Sequence, residues 1–303
     1  MSNKVVVLGS LNVDTILQVT RFPEPGETLA LNDKQMAGGG KGANQAIAAA
    51  RSGAQTSFIG RVGHDDDGRF MLNQLKDSGV STEFVSVSSD AGTGHAFVML
   101  EQSGENRILI YGGSNAELSS KDVLAAEAKI EAADFMVAQL ETPMDTTEFA
   151  FDLAKSHQVT TILNPAPAVK NISKSLLAKS DIITPNETEA EIITGIKVVD
   201  EASMAEAAKE MRAMGVKIVI ITLGSKGVYF DDGSKHGIIP AFKVQALDTT
   251  AAGDTFLGSF SSELKPDLSN IEAAIKYGNK ASSLAVQKMG AQPSIPTRNE
   301  VEK

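Results

Sequence analysis

Along most of the chain, short apolar runs alternate with longer stretches in which apolar positions recur at helical spacing. Val5-Val6-Val7-Leu8 is a β-branched run closed by Gly9-Ser10, which predicts a buried first strand. Similar runs predict strands over 56–62, 135–140, 160–163, 181–184, 218–222 and 228–230. Between them the spacing predicts helices over 43–51, 69–78, 119–133, 145–156, 173–179, 187–194, 201–214, 253–264 and 269–288. Gly53, Gly79, Gly195 and Gly290 stand just past helix ends, where a cap is expected. Strands alternating with helices imply an α/β fold, with a mainly parallel sheet covered on both faces.

Two stretches break this rhythm. Pro23 and Pro25 exclude helix from the segment that leads to a strand-like 28–31. Farther on, apolar runs at 95–100 and 107–111 flank the polar, glycine-bearing turn 102–106, which predicts a β-hairpin. Together, segments of about 14–36 and 92–112 predict a discontinuous β flap on a single domain spanning 1–303.

In parallel sheets, ligands bind beyond the carboxyl ends of the strands. That rule gathers loop residues far apart in sequence: Asn12 and Asp14 after the first strand, Glu141 after 135–140, Asn186 after 181–184, Gly224 after 218–222, and the loop before the 253–264 helix. The last of these, Asp248-Thr249-Thr250-Ala251-Ala252-Gly253-Asp254, carries the most chemistry. Two small residues and a glycine leave successive N–H groups uncovered at a helix mouth, a site suited to phosphate oxygens. A carboxylate beside bound phosphate is misplaced unless it takes a proton from an attacking hydroxyl, the role this pattern suggests for Asp254. The alternative is a well-capped helix start, with Asp248 or Thr250 as cap.

Gly38-Gly39-Gly40-Lys41-Gly42 costs backbone entropy and puts a cation at another helix mouth, which points to close approach of a ligand. Asn44, one turn in, is placed to join it. The P-loop pattern fails because Gly42 follows Lys41. A dinucleotide fingerprint fails because Gly38-x-Gly40 does not directly follow the first strand. Asn186 and Glu189 lie on one helix face, as a hydrated Mg²⁺ site or as a capping box. Leu223-Gly224-Ser225-Lys226-Gly227 reads as a tight turn between strands that can also touch phosphates.

Composition narrows the classes. The 303 residues are 42% hydrophobic and 22% charged, ordinary for a globular protein. A formal net charge of −10 without a basic run argues against nucleic acid and anionic membrane as partners. With no cysteine, thiolate chemistry and disulfides are excluded and a reducing, cytoplasmic setting suits the chain. His64, His95, His157 and His236 have no metal-ligand spacing.

The motif set as a whole resembles the ribokinase group of the PfkB carbohydrate kinase family. The resemblance runs from Val5 to about Pro296 and rests on Gly-Ser-Leu-Asn-Val-Asp (9–14), Gly-Gly-Gly-Lys-Gly-Ala-Asn-Gln-Ala (38–46), Gln-Leu-Glu (139–141), Asn-Glu-Thr-Glu (186–189), Thr-Leu-Gly-Ser-Lys-Gly (222–227) and Asp-Thr-Thr-Ala-Ala-Gly-Asp-Thr-Phe (248–256). It implies a three-layer αβα sandwich and a β lid, falling on the predicted flap, that clasps a second subunit to make a homodimer. It also implies ATP-dependent phosphorylation of a sugar, O5 of D-ribose, with deoxyribose or a fructose-type sugar as the alternative.

By the same resemblance, Asn12, Asp14, Gly40, Lys41, Gly42, Asn44 and Glu141 match sugar-binding positions, with Asp254 as base and the amides of Ala251, Ala252 and Gly253 as anion hole. Asn186, Thr222, Gly224, Ser225, Lys226, Gly227, Gly253 and Asn279 match the nucleotide side, and Glu189 the acid that organises Mg²⁺ through water. Asp248, Thr250, Ala285, Lys288, Gly290 and Ser294 match a monovalent-cation site, usually for K⁺. Two positions depart from the pattern: Asn279 stands where some members have His, and Ser259 replaces the usual Gly or Ala. A silent sugar or nucleotide sensor would be expected to lose Asp254 or the small residues before it, and this chain keeps them.

Overall fold

The computed structural model describes residues 2–103 and 105–303, so Gly104 of the predicted 102–106 turn lies outside the described residues. In chain order the strands are β1 (Lys4–Leu8), β2 (Asn12–Val19), β3 (Asp33–Gly39), β4 (Gln55–Gly63), β5 (Ser81–Ser88), β6 (Gly94–Glu101), β7 (Asn106–Tyr111), β8 (Phe135–Ala138), β9 (Thr160–Leu163), β10 (Ile182–Ile183), β11 (Ile218–Thr222), β12 (Val228–Asp231) and β13 (His236–Ile239). Nine of them form one sheet in the order β13-β12-β11-β10-β9-β8-β1-β4-β5. All its pairings are parallel except those of β12 with β11 and β13.

The side-chain alternation of the strands divides the interior in two. Val5 and Val7 of β1, Phe135 and Val137 of β8, and Ile218 and Ile220 of β11 face one core, which the helices Lys41–Arg51, Ala252–Glu263 and Ile271–Ala285 cover. Val6, Leu8, Met136, Ala138, Val219 and Ile221 face the other, under the helices between Ser120 and Ala213. Strands buried on both faces are apolar throughout, which is why they were legible as continuous runs. The result is the expected three-layer αβα sandwich.

A second, four-stranded sheet has the order β3-β2-β6-β7. It corresponds to the expected flap, with differences inside it. Asn12 and Asp14 lie in β2 rather than in a loop, and the strand expected over 28–31 starts instead at Asp33. Polar Asp33–Gln35 gives no apolar signal; its strand conformation comes from pairing with Leu17 and Gln18 of β2. Strands β5 and β13 were not anticipated. Both are edge strands, with one neighbour and half-exposed side chains, so neither carries a continuous apolar run.

Helix ends shifted for similar local reasons. The 119–133 helix is interrupted at Ala126, although its Ser119/Asp122 capping box is present. The last long helix ends at Ala285 rather than 288: the N–H groups of Gln287 and Lys288 turn to the carbonyls three residues back, and the Val286 carbonyl accepts from Leu247 and Asp248. Gly290 is therefore not its cap. Among the described residues, no helix is long and apolar enough to cross a membrane.

Candidate active site

The helix Lys41–Arg51 starts where the β1–β2 turn and the end of β3 meet. Gly40 enters it at φ 89°, a left-handed conformation, and a Cβ there would lie 2.8 Å from the Asn12 nitrogen and the Ser10 oxygen. Only glycine fits both demands. The same helix packs closely on Ala252–Glu263, because at Gly258 a Cβ would fall 2.3 Å from the Gln45 carbonyl oxygen. That close approach brings Asn44 and Gln45 to Asp254.

Asp254 is buried and held on both oxygens. Asn44 Nδ2 donates to its Oδ2 at 3.0 Å, and Gln45 Nε2 donates to its Oδ1 at 2.9 Å. Asn44 Oδ1 is buried with no partner among the described residues, which leaves an acceptor free for a ligand hydroxyl. Glu141 Oε2 accepts from Ser10 Oγ at 2.5 Å and from the Lys41 backbone N–H at 3.1 Å. Asn12 Oδ1 accepts from Asn115 Nδ2 at 2.8 Å, and Asn115 is itself clamped to the Leu11 backbone. Ser10, Gln45 and Asn115 were not singled out from the sequence. Their partners lie up to 209 residues away, so no local pattern marks them.

Charge is concentrated here. Burial pushes the Asp14 carboxyl up to about 7, and the nearby carboxylates of Glu141 and Asp254 push the same way. For Lys41, burial disfavours the ammonium, but Asp254, Glu141 and Glu189 outweigh it and hold the group above its ordinary value. Lys41 is thus the cation among four acids. Burial chiefly raises Glu189, and Asp254 adds to the effect, against the Asn186 N–H and Lys41.

A cavity of about 210 Å³ opens beside Asp254, lined by Lys41, Asn186, Glu189, Thr222 and the 251–253 turn. Ala251 adopts φ 58°, ψ 15°, and the helix begins at Ala252. The N–H groups of Ala251 and Gly253 find no acceptor among the described residues, whereas that of Ala252 donates to the Thr249 carbonyl at 3.2 Å. Asn186 and Glu189 form the capping box, each side chain bonding the other's N–H at 2.8 Å, while Glu189 also lines this cavity. The capping-box reading of the pair is therefore borne out. Asn164, at the end of β9, lines the cavity too; the strand-end rule reaches it once β9 is included.

A second, more apolar cavity of about 480 Å³ shares Thr249 and Ala252 with the first. Gly224, Ser225, Asn279, Phe242, Val244 and Val286 line it. Asn279 donates to the carbonyls of Ile239 and Pro240 at 3.2 and 3.3 Å, so its Nδ2 is committed to the chain. Lys226 and Gly227 line neither cavity: Lys226 reaches toward Glu187 at 3.5 Å, and Gly227 packs against the Ile239 carbonyl.

Behind the 251–253 turn, Asp248 draws two loops together. Its Oδ1 accepts from Thr250 N and Oγ1 at 2.9 and 2.6 Å, and its Oδ2 accepts from Gly290 N at 2.8 Å. Burial opposes the charge, but these donors outweigh it and hold the carboxyl below its ordinary value. Ala285 precedes Val286, whose carbonyl binds the 247–248 backbone, and Ser294 Oγ donates to the Ala291 carbonyl at 2.7 Å. The Lys288 ammonium turns away to Glu300 at 3.0 Å. Arg51, at the end of the glycine-loop helix, donates to the carbonyls of Gln292 and Ile295 at 2.8 and 2.9 Å, which fixes this segment from the other side.

The pattern of pfkB family carbohydrate kinases matches residues 2–298. The ribokinase of Staphylococcus aureus (strain COL) is 51% identical over 302 residues, covering 99% of each chain. That of Haemophilus influenzae is 47% identical over 300 residues, covering 99% of this chain and 97% of its own. Among solved structures, Arabidopsis thaliana ribokinase complexed with ribose and ATP superposes with a TM-score of 0.93 at 33% identity, covering 100% of this chain and 98% of that one.

Proposed function

The chain belongs to the pfkB family of carbohydrate kinases, and from that premise we propose that it phosphorylates D-ribose at O5 with ATP, giving ribose 5-phosphate. The observation that carries the reading is the position of Asp254, held by Asn44 and Gln45 on one side and opening on the cavity of the 251–253 turn on the other. Asn12, Asp14, Gly40, Gly42, Asn44 and Glu141 hold the sugar. Asp254 takes the O5 proton as that oxygen attacks the γ-phosphorus and the bond to ADP breaks. The exposed amides at the helix mouth and the Lys41 ammonium stabilise charge on the transferring group.

The larger cavity suits a nucleoside: apolar Phe242, Val244 and Val286 offer a surface for the base, with Gly224, Ser225 and Asn279 at its rim. Asn186 and Thr222 lie toward the phosphates. Lys226 and Gly227 shape the turn rather than touch the nucleotide. Glu189, a carboxylate lining the cavity, would hold Mg²⁺ through water, and the ion would supply charge neutralisation to the phosphates. The Asp248 carboxylate, the Thr250 hydroxyl and carbonyls of the neighbouring 285–294 segment, Gly290 included, would supply the set of hard oxygen ligands that suits K⁺. Ala285 and Ser294 sit within that set; Lys288 enters it only through its backbone.

We read the molecule as one domain with a lid formed by β2, β3, β6 and β7. Ile108, Leu109, Ile110 and Tyr111 of β7 are each at least half exposed, a contiguous apolar edge suited to the same edge of a second copy. Use of ATP and the absence of cysteine suit the cytoplasm. The test is ADP formation with ribose, deoxyribose or fructose, each in K⁺ or Na⁺. Ribose should give the highest kcat/KM; no sugar-dependent ADP formation would contradict the reading.

A further inference from the structure

Gln45 and Gln139 are 1% and 0% exposed, buried where the Lys41–Arg51 helix meets the end of β8. Gln139 Nε2 donates to Gln45 Oε1 at 2.6 Å, and Gln45 Nε2 donates to Asp254 Oδ1 at 2.9 Å. The orientation of each amide follows from its partners. A carboxylate only accepts, so the Gln45 nitrogen must face Asp254 and its oxygen must face Gln139. On the other side Asn164 Nδ2 donates to the Thr184 carbonyl at 3.0 Å, which turns Asn164 Oδ1 toward Gln45 Nε2, 3.5 Å away. The Gln139 oxygen is left buried without a partner among the described residues.

An unpartnered buried oxygen is costly, and two apolar side chains of the same shape would fill this space at less cost. The amide pair is explained if its work is directional. We propose that Gln139 and Gln45 form a relay that fixes the carboxylate plane of Asp254, with Gln45 the positioning residue and Gln139 the group that keeps its amide from turning over. The proposal rests on Asp254 acting as the base. Turning the Gln45 amide would set an oxygen against Asp254 Oδ1, two acceptors face to face, and rotate the carboxylate away from the sugar hydroxyl.

The relay makes Gln139 act only through Gln45, and that is measurable. Gln45→Met, which keeps length and shape, should lower kcat on the order of 10- to 100-fold, the worth of one hydrogen bond to a charged group. Its KM for ribose and its calorimetric ribose affinity should stay within about threefold, since Gln45 does not touch the sugar. Gln139→Met should lower kcat less, again without raising KM. The double variant should match Gln45→Met alone.

Full kcat in Gln45→Met, or losses that multiply in the double variant, would overturn the relay. If Gln45→Met does not fold, Gln139→Met decides alone, and unchanged kcat would overturn it. Asp254→Asn, assayed in parallel, separates the two ideas. Collapse in Asp254→Asn with normal Gln45→Met overturns only the relay; turnover retained in Asp254→Asn removes the base reading on which it stands.

Discussion

Asp248 and Gly290, 42 residues apart, are joined by a 2.8 Å hydrogen bond from the Gly290 N–H to the Asp248 carboxylate. The bond ties the loop that leads into the Ala252–Glu263 helix to the C-terminal loop that follows the Ile271–Ala285 helix. Replacing Asp248 by Ala removes three hydrogen bonds at a partly exposed position, so the stability loss should be small, about 1 kcal/mol. Activation by K⁺ should be lost. Rates measured in K⁺ and in tetramethylammonium should converge in the variant; full K⁺ activation would remove Asp248 from the cation site.

Asp14 gives a pH dependence whose sign is fixed. Its carboxyl is raised to about 7 by burial and by the Glu141 and Asp254 carboxylates, whereas in the unfolded chain it titrates near the ordinary aspartate value of 3.8. Between those values the folded state holds a proton that the unfolded state has released, so this group makes stability fall as pH rises from about 4 to about 7. A sugar hydroxyl donating to Asp14 favours the charged form. Ribose affinity should therefore rise with pH up to about 7 and then level, with proton release on binding at pH 6. Calorimetry in two buffers of different ionisation enthalpy measures that release. Asp14→Asn should weaken binding and abolish its pH dependence, and an unaltered pH profile in that variant would refute the assignment.

At Gly253 the space for a side chain is open: beyond the adjoining residues and the helix's own backbone, no protein atom lies within 4 Å of a Cβ placed there. The fold does not require glycine at this position, and alanine suits a helix first turn at least as well. The free volume faces the cavity beside Asp254. Gly253→Ala should melt at the same temperature within a few degrees, yet lose kcat/KM for ATP by about 10- to 100-fold as the methyl group displaces a phosphate oxygen. Wild-type kinetics in a normally folded Gly253→Ala protein would move the phosphate site elsewhere.

For the lid, Ile110→Asp puts a charge on an exposed edge residue, at no cost to either core. Sedimentation should show a dimer for the wild-type chain and a monomer for the variant. A wild-type monomer at micromolar concentration would refute the lid interface.

What could be read from the sequence followed from how each element is stabilised. Strands such as β1, β8 and β11 are buried on both faces, and their apolar runs carry the information locally. In β2 and β3 the strand conformation comes from pairing across the lid, and polar Asp14, Asp33 and Lys34 conceal it. Strand-end residues were legible by topology: Asn186, Gly224 and the Asp254 loop line two adjoining cavities, whereas Asn12, Asp14 and Glu141 line neither. Side chains that act through other side chains were not. Ser10, Gln45 and Gln139 sit in motifs recognised for other reasons and Asn115 in a short turn with no sequence signal, and only the packing of distant segments reveals what they hold.

Asp254, as the proposed base in sugar phosphorylation, can be tested without disturbing the fold. Asp254→Asn keeps the shape of the side chain; its oxygen can still accept from Gln45, and its N–H₂ can donate to the otherwise unpartnered Asn44 Oδ1 once the Asn44 amide turns over, so calorimetric affinities for ribose and for ATP should stay within about tenfold of wild type. Its kcat with ribose should fall by roughly 10²- to 10⁴-fold, the usual worth of a general base. Retained turnover in a variant that binds both substrates would contradict the account.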